Sequence, residues 1–286
     1  MRGDRLVTLG TKGGPAIRPG ARAMPTSSLL VLDGQIIVVD CGLGVSRALV
    51  DAGVALPEID AVFVTHLHSD HVLELGPLLH TAWTSGLAKQ LPVHGPPGLA
   101  DYLAAFLRSM AFDCDIRVRD EGRPRLNELI TCREHAEGEV ARTGSVGVTA
   151  LRVAHPPVTD CFALRFEGAE RTVVFSADTA FHEPLIEFAR GADVLVHEAM
   201  LTEGVERLIE RTPNAARLRE HLYASHATAQ QAGEIARRAG VGHLVLNHLI
   251  PADDPSLGHG AFEAAACETW AGPLTVGRDG ASLPLD

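Results

Sequence analysis

Lysine is nearly absent from this chain. Lys12 and Lys89 are the only two among 25 basic residues, which face 36 acidic ones and leave a formal net charge of -11. An acidic chain has no general attraction for a polyanion, so binding nucleic acid would need a local basic patch. The most arginine-rich stretch, residues 117–125, has Asp120 and Glu121 interleaved and reads as a solvated loop. The balance therefore argues against a nucleic-acid partner. Long apolar runs are missing too. None approaches the ~20 residues that span a bilayer, and residues 28–39 are broken by Asp33 and Gln35. The N-terminus, Met1-Arg2-Gly3-Asp4-Arg5, has no signal-peptide core. The expectation is a cytoplasmic chain with no membrane partner. Cysteine is sparse and odd in number: Cys41, Cys114, Cys132, Cys161 and Cys267, with no Cys-x-x-Cys pair. That excludes a disulfide framework and a thiolate zinc site, and leaves buried free thiols. There is no linker, low-complexity segment or strong repeat. With 286 residues available for a core, one domain over 1–286 is expected.

Histidine is what the chain has in quantity, 14 in all. Four potential metal ligands fall within six residues in Thr65-His66-Leu67-His68-Ser69-Asp70-His71. The apolar run 61–64 before them reads as a buried strand, and 72–75 after them as the start of a helix. A strand-to-helix turn can aim several side chains at one point, and imidazole with carboxylate suits zinc and similar divalent ions. Three further apolar strands each deliver one ligand-type residue at the tip: His155 after 146–154, Asp178 after 172–176, and His248 after 243–247.

The remaining pattern places strands at 5–9, 29–32, 36–39, 91–94, 161–166, 194–196 and 273–276. Asp33-Gly34 joins two of them as a hairpin. Helices are expected at 43–53, 72–85, 99–111, 183–190, 203–223 with a break near Pro213, and 228–239 ending at Gly240, with a short one before the last strand. Residues 116–118 and 126–131 are weaker strand candidates.

The 66–71 segment resembles the His-x-His-x-Asp-His signature of the metallo-β-lactamase superfamily, and His155, Asp178 and His248 follow in the order that superfamily uses. The resemblance implies an α/β fold, a four-layer αββα sandwich with the metal site at one edge between two sheets. It implies two divalent metal ions, zinc first, with Mn2+ or Fe2+ as alternatives. His66, His68 and His155 would hold one ion. Asp70, His71 and His248 would hold the other, and Asp178 would bridge them. Asp40 would support the metal loop without binding metal. An aspartate at position 178 sets the chain apart from the true β-lactamases of the superfamily.

Two further motifs resemble the ribonuclease Z group: Leu195-Val196-His197-Glu198-Ala199-Met200 and Ser225-His226-Ala227-Thr228. They imply a Glu198–His226 pair in which the carboxylate charges the imidazole and His226 assists at the scissile group. Asp70 would position or deprotonate the water. The tRNA-gripping arm of that group, placed between the third-motif histidine and the bridging aspartate, has no counterpart between His155 and Asp178. The implied activity is a metal-dependent hydrolase using metal-activated hydroxide, foremost a phosphodiesterase acting on a small anionic ester. Arylsulfatase, lactonase or another carboxylic ester hydrolase is the alternative. Ranked below are a tRNA 3'-processing endonuclease, a β-lactamase and a non-haem iron protein. A small-molecule partner and a homodimer go with this expectation. Residues 201–223 are expected to form a lid or an oligomer contact. His197 should face away from Glu198. His221, Trp83 and Phe181 could line a pocket, though packing explains the last two better. His80, His94, His135, His182, His243 and His259 are expected to be structural or exposed.

Overall fold

The structure, a computed structural model, describes residues 3–21 and 23–285; Met1 and Arg2 of the N-terminal stretch lie outside them. Six strands lie side by side in chain order in the first sheet: β1 (Arg5–Gly10), β2 (Ser27–Leu32), β3 (Gln35–Val39), β4 (Ala61–Phe63), β5 (Leu91–Gly95) and β6 (Ile130–Glu134). The second sheet repeats the arrangement with β7 (Gly138–Thr143), β8 (Val146–Arg152), β9 (Phe162–Glu167), β10 (Thr172–Phe175), β11 (Val194–Met200), β12 (His243–Ile250) and β13 (Leu274–Val276). A last strand, β14 (Ala281–Pro284), returns to the first sheet and pairs with β1.

Side-chain alternation along the strands decides the layers. Leu29 and Val31 of β2, with Ile36 and Val38 of β3, point outward to a core shared with helices. Leu30 and Leu32, with Ile37 and Val39, point to the core between the sheets. There Phe63 meets Phe166 of the second sheet edge to face at 5.2 Å. The first sheet is accompanied by α1 (Val45–Asp51), α2 (Ser69–Val72), α3 (Leu75–Thr84), α4 (Leu99–Ser109), α5 (Ala111–Glu121) and α6 (Leu126–Leu129). The second carries α7 (Pro184–Phe188), α8 (Val205–Glu210), α9 (Leu218–Ser225), α10 (Ala229–Ala239) and α11 (His259–Cys267). Helices outside and sheets within make the expected αββα sandwich. Among the described residues, no helix is long and apolar enough to cross a membrane.

Local chemistry sets several boundaries. Thr228 and Gln231 form a capping box at the start of α10, and Gly240 ends it with φ 66. The helix expected over 72–85 is instead two pieces. At the break, the Glu74 carboxylate accepts the backbone N–H groups of Gly44 and Ser46, and its own N–H bonds Cys41 O. Residues 116–118 are not a strand: they lie in α5, where Arg117 pairs with both Asp113 and Glu121 at helical spacing. Residues 126–129 form a helical turn, and the strand starts only at Ile130. Strands β7 and β14 were not expected from the pattern; both are half polar, so no apolar run marks them.

Candidate metal centre

One edge of the sandwich gathers every expected metal ligand together with Asp40, Glu198 and His226. Asp40 follows β3, the 66–71 segment follows β4, His155 follows β8, Asp178 follows β10, and β11 carries Glu198. Three residues there have left-handed backbone: Asp40 (φ 63), Ala177 (φ 55) and His248 (φ 43). Such conformations cost about 1–3 kcal/mol each outside glycine and persist where surrounding contacts fix them. His248 does not sit at a strand tip as the sequence suggested. β12 runs on to Ile250, and the register with β11 slips there: Glu198 faces Asn247 and Ala199 faces Leu249. His248 is the extra residue of a bulge, which turns its side chain out of the ladder and into the site.

Two groups of ligand atoms result, with a third, Asp178, His226 and His248, overlapping both. His66, His68, His155 and Asp178 offer atoms within 4.8 Å of one another, and so do Asp70, His71 and His248. Asp178 Oδ2 lies 3.7 Å from His66 Nε2 and 3.9 Å from His155 Nε2 on one side. On the other it lies 3.3 Å from His71 Nε2 and 3.1 Å from His248 Nε2. A tetrahedral zinc site with bonds of about 2.0–2.1 Å puts neighbouring ligand atoms about 3.3 Å apart. The separations here fit that spacing, and the Asp178 carboxylate stands between the groups.

Three of the imidazoles, those of His71, His66 and His155, are turned by a bond from the far side. Asp40 Oδ2 holds His71 Nδ1 at 2.8 Å, while Asp40 Oδ1 accepts the Thr65 N–H at 2.8 Å. Thr65 Oγ1 lies 3.1 Å from His66 Nδ1. Ser225 O accepts His155 Nδ1–H at 3.0 Å. The inward atoms are left over: among the described residues, His66 Nε2, His71 Nε2 and Asp178 Oδ1 are buried without a hydrogen-bond partner. Buried polar atoms are normally satisfied, and three orphans converging on one spot fit bound cations.

The charges agree. Burial pushes the His66, His68 and His155 imidazoles down, His155 to about 4, so this group is neutral as metal ligation requires. Burial pushes the Asp178 carboxyl up, but the imidazoles of His248 and His71 outweigh it and hold it low. Asp70 is held low in the same way by His71 and His248. At His71 burial is outweighed by Asp178, Asp40 and Asp70, which raise its pKa.

Glu198 and His226 meet beside the second group. His226 Nδ1 lies 2.9 and 3.1 Å from the two Glu198 oxygens, and the ring stacks on His248 at 5.5 Å. Thr228, not His226, caps α10. The sequence reading had the carboxylate charge the imidazole. Burial, then the nearby Asp178, push the Glu198 carboxyl well up, and burial pushes His226 down. Both directions disfavour separated charge on the pair. His197 lies on the same strand face as Leu195 and Ala199, away from Glu198.

A cavity of about 310 Å³ opens onto these groups, bounded by His68, Asp70, Asp178, His226 and His248. Its other walls are Lys12 to Ala16 and Arg18 from the loop after β1, with Leu208, Thr212, Leu218, His221 and Leu222 from the α8–α9 segment. The 201–223 excursion therefore walls the site. His221 is in the cavity, whereas Trp83 is buried in the outer core and Phe181 packs on the core of the second half. The 11–18 loop was not singled out from the sequence, since its Gly and Pro content signals a loop but no destination.

Residues 35–249 match the family described as Beta-lactamase superfamily domain. The chain belongs to that superfamily, and with this edge of ligands it is a metal-dependent hydrolase. A curated relative from Mycobacterium sp. (strain KMS), named Ribonuclease Z, is 38% identical over 278 residues, which cover 96% of this chain and 93% of that protein. Solved structures share the fold: YhfI of Bacillus subtilis, a metallo-beta-lactamase fold protein, with a TM-score of 0.71, 24% identity and 99% of each chain covered. Human tRNase Z, short form, matches with a TM-score of 0.68 and 19% identity, again over 99% of each chain.

Proposed function

We propose that the chain is a dinuclear phosphodiesterase acting on a small anionic diester. In this reading His66, His68 and His155 hold one divalent ion, Asp70, His71 and His248 hold the other, and Asp178 bridges; zinc suits the donor set best. The carrying observation is the Glu198–His226 pair stacked against His248 at the cavity wall. When bound, two such ions supply Lewis acidity and an activated water.

The chain's own groups supply the rest. Asp70, kept ionised, accepts the Gly14 N–H at 2.7 Å and faces the cavity, where it can orient water and accept its proton. Glu198 is fixed by the backbone N–H of Thr179. With one proton shared between Glu198 and Nδ1 of His226, a proton on Nε2 can be given to a phosphoryl oxygen or leaving group. The α8–α9 wall and the 11–18 loop limit water and substrate size. One domain over 1–286 and a homodimer belong to the same proposal.

A second reading is favoured by the relatives' name: an RNA substrate, cleaved at the same kind of bond. The interval between His155 and Asp178, residues 156–177, holds only β9, β10 and their turns. Yet the Mycobacterium relative is covered to 93% of its length and has little room for a long extra segment either. The missing arm therefore does not separate the readings. Metal-replete protein should be assayed on bis(p-nitrophenyl) phosphate, p-nitrophenyl sulfate, a lactone and a 3'-extended tRNA. Turnover of the diester at least tenfold above the sulfate and lactone is expected. Turnover of only the sulfate or lactone would contradict phosphodiester chemistry, and preference for the tRNA would favour the second reading.

A further inference from the structure

A buried ion pair lies against the metal centre, and none of the chemistry above uses it. Lys12 is 4% exposed, and its Nζ lies 3.5 Å from Asp253 Oδ2. Among the described residues neither oxygen of Asp253 has a hydrogen-bond partner. Removing an ammonium and a carboxylate from water costs several kcal/mol each, so such a pair is a poor source of stability. Its position suggests another role.

Lys12 lies on a strap, residues 11–14, that crosses the second ligand group. Leu249, next to His248, donates its N–H to Thr11 O at 2.7 Å and accepts the Gly13 N–H at 3.1 Å. A Cβ on Gly13 would come within 2.9 Å of His248 Cε1, so bare backbone lies against that imidazole. Lys12 Nζ donates to Gly13 O at 3.2 Å and lies 3.5 Å from Gly14 O. The Gly13 carbonyl and the Gly14 N–H belong to one peptide unit. That same N–H donates to Asp70 Oδ2 at 2.7 Å. A cation on the carbonyl polarises the peptide and strengthens its N–H as a donor. Asp253, five residues beyond His248, anchors the ammonium from the other side.

We infer that Lys12, held by Asp253, is a positioning residue that presses the 11–14 strap onto Asp70 and His248 and so sets the affinity of the second metal half-site. Among the described residues no hydrogen bond joins the strap to the first half-site, His66, His68 and His155, which is left unchanged. The inference concerns ligand geometry and is independent of which bond the enzyme cleaves.

The test is a zinc-binding isotherm on metal-stripped protein, with bound metal counted by mass spectrometry. Asp70→Ala marks the step that belongs to the second half-site. Lys12→Met should weaken that step roughly tenfold to a hundredfold, the range for losing an outer partner of a metal ligand, and leave the first step as in the wild type. Lys12→Arg should recover part of the loss. Lys12→Met with Asp253→Asn removes the unpaired buried charge. It should regain thermal stability yet keep the weakened second step. A double variant that binds both ions with wild-type affinity would overturn the inference and leave the pair a stability element. If Lys12→Met alone does not fold, the double variant decides.

Discussion

At the scale of single residues, the site is built from groups that are turned, not merely present. Glu198 makes the sharpest case. It touches no substrate position in the cavity wall, yet it fixes which nitrogen of His226 is free. Glu198→Gln should lower kcat by about ten- to a hundredfold with KM little changed, a fraction of the full effect of a general acid. Steady-state kinetics against the diester reads this; an equal rise in KM would mean the pair binds substrate instead. Gly13→Ala should be severe for its size, because the added methyl meets Ile250 Cγ1 at 2.5 Å and the His248 ring. A tenfold or greater loss in kcat/KM is expected, and an unchanged value would show that the strap moves freely. The gathering of the seven residues expected as ligands was legible because their residue types are few and their local order is distinctive. Their outer partners were legible only at Asp40. The others act through backbone, as Ser225 O on His155 and Gly14 N–H on Asp70, and residue identity does not record a backbone bond.

At the scale of elements, the loop after β1 matters most and was least legible. Asp279, from the far end of the chain, accepts the Thr11 N–H at 3.0 Å and Oγ1–H at 2.7 Å, and the Met24 N–H at 2.6 Å. It clips both ends of the loop that walls the cavity. Asp279→Ala should cost about 1–3 kcal/mol, the price of leaving such donors unsatisfied, and raise KM; denaturant unfolding with kinetics checks both. The β5 end carries a second testable feature. His94 is stacked on Phe63 at 4.7 Å, and burial, with His135 and Arg133 nearby, lowers its pKa to about 4. As pH falls below about 6.5 the unfolded chain takes up this proton first. Stability is therefore lost between about 6.5 and 4 and is unaffected above that window. His94→Leu should make the fall in Tm between pH 7 and 5 shallower than in the wild type; an equal slope would remove His94 from the account. Strands with two apolar faces, such as β2 and β3, were legible as apolar runs joined at Asp33-Gly34. Residues 116–118 were misread because three residues cannot distinguish a strand from a helix whose charges pair at spacing four.

At the scale of the whole molecule, two half-chain sheets meet so that ligands from both converge on one edge. His66 to His71 come from the first half, and His155, Asp178 and His248 from the second. Ions bound there would tie the halves together and stabilise by mass action, about 4 kcal/mol at a thousandfold excess over Kd. Chelation should therefore lower Tm and abolish turnover together, and added zinc should restore both. A thermal scan with and without chelator checks this, and loss of turnover without a change in Tm would place the metal outside the sheet junction. The acidic surface and the scarcity of lysine were legible at once, but not where the two lysines would lie; only the fold brings Lys12 to the site.

The central claim is that the Asp178 carboxylate joins two metal ions in a hydrolytic centre. The most direct measurement is metal content together with bis(p-nitrophenyl) phosphate turnover for the wild type and Asp178→Ala. The account predicts about two ions per wild-type chain, loss of at least one in the variant, and turnover below a few per cent of the wild-type rate. A variant that keeps both ions and a substantial fraction of the rate would contradict it.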